Sequence, residues 1–377
     1  MKLKAVIIGA AHMHALELFR HVQACPDMEL AGAADTEPVE PSDLRSQKPY
    51  SRRWNLETLR EAGALIFEDW RGMLEQAKPD LALVTTENAL HPEVFRACAG
   101  HAGAVSIEKP LACSLADALD IARVSRESGT EVFVNWPIAW RHFLYQMKEV
   151  LDSGRMGPLI KVRHIAGHTG PLGVRAVHRG TGGLQAEEMT PQEKADMWWY
   201  RPQGGGGAYL DMCCYGAMAG VWFSGGPCLQ AAAMTGNFAH PFGGVEDNGM
   251  MLLRFRDSVA VVEGTWTTPT AALPPGPELY CRDGVIACEM RDGAAAVRLT
   301  YLDGRVQYLA PPEPDPGQAS LPAAFAEHRL RGRPMPSITT LGNNLRVMAV
   351  LDAGLASVRS GKSERVESVE EAAGWKG

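Results

Sequence analysis

The apolar and polar residues of the first 135 positions alternate between short apolar runs and stretches with apolar residues at helical spacing. Buried apolar strands that alternate with helices indicate parallel β-α-β units. We therefore predict an α/β half built on a doubly wound parallel sheet. The predicted strands are 5–8, 29–34, 81–85, 104–107 and 131–134, and the predicted helices are 12–24, 91–99 and 114–128.

The pattern changes after about residue 136, where strand-like segments follow one another closely. Turn signals such as Asp283-Gly284 and Asp303-Gly304 separate several of them, which is typical of antiparallel pairing. We predict an α+β half on a large, mostly antiparallel open sheet, with domains at 1–136 and 137–377. The predicted strands are 160–165, 230–234, 249–255, 258–267, 278–280, 296–301 and 306–309, and the predicted helices pass through 207–223 and 341–358.

Composition excludes several classes of protein. The 377 residues carry 37 Lys and Arg against 44 Asp and Glu, a net charge of −7, with no long basic run. We therefore expect no nucleic-acid partner and no anionic membrane surface as partner. No stretch reaches about 18 apolar residues, so no transmembrane helix is expected. Eight cysteines without a C-x-x-C pair indicate reduced thiols in a cytoplasmic protein.

A glycine turn follows the first predicted strand. Residues 9–14 (Gly-Ala-Ala-His-Met-His) stand where a dinucleotide-binding G-x-G-x-x-G motif would open the first helix, although Ala11 and His14 replace its later glycines. The helix N-terminus attracts phosphate whatever its side chains. Asp35, at the end of the second strand, is placed to accept hydrogen bonds from an adenosine ribose, which favours NAD over NADP. Alternatively, Asp35 only caps a turn before Pro38.

His12 and His14 also permit a metal interpretation. An H-x-H after a first strand is similar to the opening of metal-dependent amidohydrolases, whose further ligands follow later barrel strands. His91, His164 and His168 are available, but the eightfold repeat of such a barrel is missing. We therefore expect no metal, and interpret one histidine as lying near phosphate and the other as packed.

Three further groups of residues complete a pattern. Residues 85–91 (T-T-E-N-A-L-H) and 107–112 (I-E-K-P-L-A) each end a predicted strand, and three glycines at 205–207 precede Asp211 and Tyr215. On these motifs the chain resembles the Gfo/Idh/MocA family (glucose–fructose oxidoreductase, inositol dehydrogenase, MocA) over essentially its whole length. Glu87 replaces the family's usual proline. The resemblance implies a Rossmann domain, an open-faced α+β domain and a nicotinamide cofactor at their junction.

The resemblance also implies which residues contact the cofactor, NAD by preference or else NADP. They are Gly9, Ala11, His12, Met13, Asp35, Thr85, Thr86, Asn88, His91, Glu108, Lys109 and Asn135.

Lys109, Asp211 and Tyr215 are the implied catalytic residues. In the family the lysine of E-K-P faces the reacting oxygen and Glu108 helps to hold it. Asp211 and Tyr215 are four residues apart and share one face of a helix. The tyrosine, where most of the family has histidine, resembles the branch that contains glucose–fructose oxidoreductase. A nearby ammonium favours tyrosinate as the base for a hydroxyl proton. The alternatives are a surface lysine in a turn and a merely packed tyrosine.

Substrate contacts are expected from both halves, although ordinary loop or core roles are the alternative for each residue. The candidates are Lys109, Trp136, His168, Arg175, His178, Trp199, Asp211 and Tyr215.

The leading hypothesis is an NAD(P)-dependent oxidoreductase acting on a secondary alcohol or carbonyl of a sugar, polyol or related cyclic alcohol. A catalytically silent dinucleotide sensor on the same fold is the alternative, and a metal hydrolase is the third. The open sheet would expose an apolar face, so we expect a homo-dimer or homo-tetramer that pairs through it.

Overall fold

The computed structural model describes residues 2–173, 176, 178, 181–240 and 243–369. Arg175, one of the predicted substrate contacts, lies outside the described residues.

The first half forms a sheet of six strands in the order β3-β2-β1-β4-β5-β6, and every pairing in it is parallel. The predicted doubly wound sheet is therefore confirmed. Its elements in chain order are β1 (Leu3–Ile8), α1 (His14–Ala24), β2 (Met28–Ala34), α2 (Arg52–Glu61), β3 (Ile66–Phe67), α3 (Trp70–Ala77), β4 (Leu81–Val84), α4 (His91–Cys98), β5 (Ala104–Glu108), α5 (Leu115–Ser128) and β6 (Glu131–Asn135).

The second half forms a sheet of nine strands in the order β14-β13-β12-β11-β7-β10-β9-β8-β15, as far as the described ranges extend. Its elements in chain order are α6 (His142–Asp152), β7 (Leu159–Gly167), α7 (Pro191–Asp196), α8 (Cys214–Ser224), β8 (Gln230–Gly236), β9 (Asn248–Arg254), β10 (Val259–Thr265), β11 (Glu278–Cys281), β12 (Gly284–Arg291), β13 (Ala294–Tyr301), β14 (Val306–Tyr308), α9 (Leu321–Arg331), α10 (Leu341–Ser360) and β15 (Glu364–Arg365). The pair β7–β10 is parallel and the other pairings are antiparallel, which confirms the mostly antiparallel sheet.

Two local predictions differ from the structure. The strand β12 was not predicted, since its Gly284 belongs to a turn signal and its last residues are polar and exposed. The helix predicted through 207–223 begins instead with a π-helical turn, Tyr209–Cys213, before α8. A π turn adds one residue to the turn and is frequent at functional sites. It therefore changes the direction in which Asp211 projects relative to a regular helix.

The strand β1 shows how the first sheet is covered on both faces. Val6 and Ile8 belong to a core that includes α3, α4 and α5, whereas Ala5 and Ile7 pack in a second core with α1 and α9. This division follows from the alternation of side chains along a strand. Since α9 comes from the far end of the chain, the C-terminal part returns to cover the first sheet.

The large sheet has one helix-covered face and one open face. Along β9 the residues alternate, with Met251 and Leu253 buried against the helices and Met250 and Leu252 about 60% exposed. The expected open apolar face is therefore present. Among the described residues, no helix is long and apolar enough to span a bilayer.

Gly354 of α10 lies against the tyrosine that opens the π turn. A Cβ at this position would lie 1.9 Å from the hydroxyl oxygen of Tyr209, which donates to the carbonyl of Leu351 at 2.9 Å. In an isolated helix, replacing glycine by alanine stabilises the helix by about 1 kcal/mol. We expect the reverse for Gly354→Ala, a loss of about 1–3 kcal/mol in unfolding free energy, because the core is overpacked.

Denaturant unfolding measures that loss, and the Tyr209→Phe background provides the control. Removing the hydroxyl relieves the closest contact, so the two substitutions together should cost less than the sum of their separate losses. A strictly additive result would contradict this explanation.

Candidate active site

The carboxyl ends of β1, β2 and β4 form the edge at which such folds bind ligands, called here the cofactor edge. Gly9 makes the tight turn after β1 with φ +94°, and a Cβ there would lie 2.5 Å from Thr86 Cγ2. The Thr85 hydroxyl donates to the Gly9 carbonyl at 2.6 Å. The turn predicted from the glycine motif is therefore present, and the backbone of β4 packs directly against it.

Asp35 projects from the end of β2 and holds the glycine turn. Its Oδ1 accepts from the backbone N–H of Ala10 at 2.8 Å and of Thr36 at 2.9 Å. Arg52 donates to the same oxygen at 2.6 Å. Oδ2 has no hydrogen-bond partner among the described residues and the side chain is 17% exposed, so one oxygen is left for a ribose hydroxyl.

Arg52 is fully buried and binds three carboxylates from three elements. It contacts Asp35, Asp43 at 3.2 Å, and Glu87, the residue that replaces the family's proline. Burial alone would lower the pKa of Arg52, but these three carboxylates raise it. Burial is also the largest influence on Asp43 and raises its pKa to about 6 in spite of Arg52. The cluster therefore contains more buried negative charge than positive charge.

Segments from both halves cover the cofactor edge. The indole of Trp198 donates to the carbonyl of Ala11 at 3.0 Å, and its own backbone N–H donates to Asp43 at 3.3 Å. Trp199 stacks on Trp198 with 3.8 Å between ring centroids and meets His12 edge-on at 4.8 Å. As a result Ala11, His12 and Met13 are each 3% exposed or less.

His14 occupies the third-glycine position of the motif and projects toward the end of β5. Its Nδ1 lies 3.0 Å from Glu108 Oε2, while Asn135 donates to Glu108 Oε1 at 2.6 Å. Glu108 was expected to hold Lys109. It holds His14 and Asn135 instead, because the alternation of β5 points neighbouring side chains in opposite directions.

Lys109 and Asp211 form a buried ion pair between the two halves. The Lys109 ammonium donates to Asp211 Oδ1 at 2.5 Å and to the Asp211 carbonyl at 3.0 Å. Trp266 donates its indole N–H to Asp211 Oδ2 at 2.8 Å. Burial alone would raise the pKa of Asp211, but Lys109 and His168 hold it well below its usual range. The pair therefore stays charged.

Tyr215 lies beside this pair with its ring toward the ammonium. The Lys109 Nζ is 5.0 Å from the ring centroid, and Trp136 meets the same ring edge-on at 5.5 Å. Burial raises the pKa of Tyr215 above its ordinary value, and the opposing effect of Lys109 is smaller. Lys109 therefore acts in the expected direction and favours tyrosinate, but desolvation of the phenolate outweighs this effect.

The predicted substrate contacts lie in two places. His168 Nε2 is 3.6 Å from Asp211 Oδ2, so His168 borders the ion pair. His178 bonds the Pro171 carbonyl at 2.8 Å and packs on Tyr50, and burial lowers its pKa to about 4. Trp136 is wholly buried, and its indole donates to Asn344 at 2.8 Å. The structure therefore brings His168 and Trp136 to the ion pair and Tyr215, places His178 edge-on to His168 with 6.3 Å between ring centroids, and places Trp199 against His12.

The remaining predicted cofactor contacts lie in the segment that follows β4, where they form hydrogen bonds to backbone carbonyls. Asn88 donates to the carbonyl of Gly205 at 2.9 Å, which links the cofactor edge to the three-glycine loop. His91 lies 3.3 Å from the Leu111 carbonyl, and burial lowers its pKa to about 4. Thr86 bonds the neighbouring Glu87 carbonyl at 3.2 Å.

Three buried polar atoms around this edge have no hydrogen-bond partner among the described residues. They are His12 Nε2, Asn88 Oδ1 and His91 Nε2. Because such atoms are costly when left unpaired, the residues fit a polar ligand such as a dinucleotide in chemical kind. At the same edge Arg52 links Asp35 to Glu87, and Trp198 bonds the Ala11 carbonyl.

Sequence analysis missed Arg52, Trp198 and Trp266 as site residues. Glu87 is an acidic residue inside the buried segment 85–91, which indicates that a cation must compensate its charge. The sequence contains 37 lysines and arginines, and nothing local identifies Arg52 among them. Trp198 belonged to a segment expected near substrate, but its contact with the glycine turn depends on how the two halves pack.

Comparison with known proteins identifies the family. Residues 3–136 match the family model described as an oxidoreductase family with an NAD-binding Rossmann fold, and residues 144–287 match the GFO/IDH/MocA C-terminal domain. The chain belongs to the Gfo/Idh/MocA oxidoreductase family, as the motifs predicted.

Two curated relatives match parts of the chain. Inositol 2-dehydrogenase 2 of Saccharopolyspora erythraea is 30% identical over 124 residues, 32% of this chain and 37% of the relative. The 1,5-anhydro-D-fructose reductase of Ensifer adhaerens is 27% identical over 182 residues, 48% of each chain. The chain thus spans less than half the length of either relative.

The fold is also found in solved structures. The aldose–aldose oxidoreductase of Caulobacter crescentus, crystallised with glycerol, has a TM-score of 0.74 at 18% identity, covering 97% of this chain and 100% of that one. At this identity the likeness concerns the fold.

The Arg52 cluster generates a pH-dependent prediction. Arg52→Met leaves three buried carboxylates without their cation, and breaking a buried pair costs about 3–5 kcal/mol. Burial already raises the pKa of Asp43 to about 6 although Arg52 lowers it. Removing Arg52 raises this pKa further, so the folded variant takes up protons at a higher pH than the folded wild type and gains more stability on acidification. We therefore expect the loss at about pH 8 to shrink toward pH 5.

Urea unfolding at the two pH values measures this difference. Arg45→Met is the control, since Arg45 binds Asp196 with its side chain 71% exposed, and an exposed pair is worth at most about 1 kcal/mol. A loss for Arg52→Met that stays equally large at both pH values would refute the interpretation.

Proposed function

We propose that this family member is an NAD(P)-dependent oxidoreductase, with NAD preferred, that transfers a hydride between the nicotinamide and a secondary alcohol or carbonyl of a sugar, polyol or related cyclic alcohol. The observation that carries the proposal is the buried Lys109–Asp211 pair with Tyr215 against its ammonium. Burial of a charged lysine costs free energy, and Lys109 is buried where the two halves meet. A role in function explains why that cost is tolerated. The names of the two curated relatives, an inositol dehydrogenase and an anhydrofructose reductase, support this substrate class.

The dinucleotide would be held by groups already at the cofactor edge. Asp35 offers its free Oδ2 to a ribose, and Asn88 and His91 offer their unpartnered atoms. The carboxylate of Asp35 supports NAD over NADP because it repels a 2′-phosphate. When bound, the nicotinamide supplies or accepts the hydride.

The chain's own residues supply charge and proton. In the reducing direction, the Lys109 ammonium stabilises the negative charge that develops on a carbonyl oxygen. Tyr215 remains a phenol at neutral pH, since burial raises its pKa, and in this role it donates its proton to that oxygen. Asp211 holds Lys109 in place and keeps its ammonium charged. The surrounding indoles of Trp136 and Trp266 exclude water.

A catalytically silent dinucleotide sensor is the second candidate. It is favoured by the altered motifs, since Ala11 and His14 replace the later glycines and Glu87, buried against Arg52, replaces the family's usual proline. The two functions separate in a single screen. NADH-dependent reduction of any sugar-like ketone supports the enzyme, whereas tight NADH binding without turnover of a broad sugar and polyol panel supports the sensor.

Replacing Lys109 should damage turnover far more than cofactor affinity. For Lys109→Met we expect kcat to fall by about 100- to 10,000-fold, the range for a positioned acid or base. The NADH dissociation constant should change by less than about 10-fold. Steady-state kinetics and calorimetric NADH titration measure the two quantities. An equal loss in both would indicate a binding role only.

Tyr215→Phe tests the same site without removing a buried charge. The ring contact with Lys109 remains, so stability should stay near that of the wild type while kcat falls by at least about 100-fold. Tyr145→Phe, which removes a buried hydroxyl that has no partner among the described residues, is the control and should retain activity. Full activity of Tyr215→Phe would exclude the tyrosine from proton transfer.

We also propose a homo-dimer or homo-tetramer formed through the open face of the large sheet. Met234, Met250 and Leu252 contribute an apolar surface there, each at least 60% exposed, and contiguous apolar surface of this kind is typical of interfaces. Leu252→Lys should reduce the mass measured by light scattering to that of one chain. Leu65→Lys, at an exposed residue just before β3 in the first half, is the control. An unchanged assembly in Leu252→Lys would place the interface elsewhere.

A further inference from the structure

Three metal-ligand side chains converge next to the ion pair and have no part in the proposed proton transfer. They are His12 and His14, at the start of α1, and Glu108, at the end of β5. One possible ligand atom of each lies within 4.8 Å of the other two. His14 Nδ1 is 3.0 Å from Glu108 Oε2, and the two imidazole rings are 4.1 Å apart between centroids. All three side chains are buried or nearly so.

His12 gives an independent indication of a missing ligand. The residue is 2% exposed, and its Nε2 has no hydrogen-bond partner among the described residues. Its Nδ1 accepts from the backbone N–H of His14 at 3.2 Å, near the long limit for such a bond. In that tautomer Nε2 carries a buried proton without an acceptor, which is costly. Moving the proton to Nδ1 gives up the long bond and frees the Nε2 lone pair for a ligand.

The local charge also favours a cation. Glu108 and Asp211 are two buried carboxylates, and Lys109 is a buried lysine that pairs with one of them. Its ammonium binds Asp211, whereas Glu108 contacts only the uncharged amide of Asn135 and His14. The negative charge of Glu108 is therefore balanced by no cationic lysine or arginine among the described residues.

We propose that His12, His14 and Glu108 bind one divalent transition-metal ion. Two imidazole nitrogens and one carboxylate oxygen are the donor set used by zinc, iron(II) and manganese(II) sites that keep a coordination position open. This site goes beyond the oxidoreductase proposal and contradicts our expectation from the sequence that the chain binds no metal. Lys109 is close enough to His12 for its charge to act on the imidazole, and a metal near the proposed reaction centre would polarise a substrate oxygen as a Lewis acid.

The same arrangement explains His14, which otherwise contradicts the dinucleotide motif. The third glycine of that motif permits close packing of helix against strand. In this chain an imidazole fills the position and points at Glu108. An imidazole beside a carboxylate provides two metal-donor groups at this turn, which a side chain that only filled space would not.

The test loads the full-length protein with metal in the absence of dinucleotide and substrate. Chelator-treated protein is incubated with Zn²⁺ or Mn²⁺, desalted, and analysed by elemental analysis. We expect about one ion per chain and a higher melting temperature, because a ligand that binds only the folded state stabilises it. His14→Gln and Glu108→Gln should each weaken metal binding by at least about 10- to 100-fold. Substitution of a residue that only supports the metal ligands already causes a loss of that size.

His164→Gln is the matched control variant. His164 is also buried and also has a nitrogen without a partner among the described residues, but it lies on β7 in the large sheet. It should keep the full metal content. Equal metal loss in all three variants, or less than about one tenth of an ion in the wild type, would overturn the proposal.

A spectroscopic measurement on the wild type keeps the test decisive if a variant fails to fold. Co²⁺ bound by two imidazoles and a carboxylate gives visible d–d absorption without the intense charge-transfer bands of a thiolate ligand. Thiolate bands would show that the metal binds at cysteine and would refute the site. Because no cofactor is present, a negative result leaves the oxidoreductase proposal standing, and absent NADH turnover leaves the metal site standing.

Discussion

The buried pair of Lys109 and Asp211 is the interaction on which the rest of the site depends. The lysine ends a strand of the first sheet and the aspartate lies in the π turn before α8, 102 residues away. An unpaired charge at either position would be costly in this interior. The two halves therefore have one relative position in which both charges are satisfied, and that position brings Tyr215, Trp266 and His168 around them.

At the cofactor edge, too, buried charges need a partner of opposite charge. Asp35 follows β2 and Glu87 follows β4, on either side of β1, and their carboxylates require a cation once the edge is covered. Arg52 supplies it from α2 and is thereby drawn across the strand ends. Trp198 then closes the edge from the second half by bonding the Ala11 carbonyl. Charge compensation and closure of the edge are consequently coupled, because both depend on the same few side chains.

His14 shows how a single change in a motif alters the chemistry of a fold. In a dinucleotide motif the third position is small, and substituting it would only hinder packing. Here the imidazole of His14, from the glycine motif, contacts Glu108, from the E-K-P motif. Two motifs with separate roles in the family are therefore in direct contact. The donor set that results lies beside the proposed reaction centre, and its function is a separate question from hydride transfer.

The sequence by itself determined the class of fold, the glycine turn at Gly9 and the position of Lys109 at a strand end. These are local properties, since the period of apolar residues sets the elements and E-K-P follows its strand directly. Only the tertiary structure decided that Arg52 compensates Glu87, that Glu108 contacts His14 rather than Lys109, and that burial raises the pKa of Tyr215 in spite of Lys109. Each of these depends on which distant side chain fills a shared space and how much water it displaces, and neither quantity is encoded in the spacing of residues along the chain.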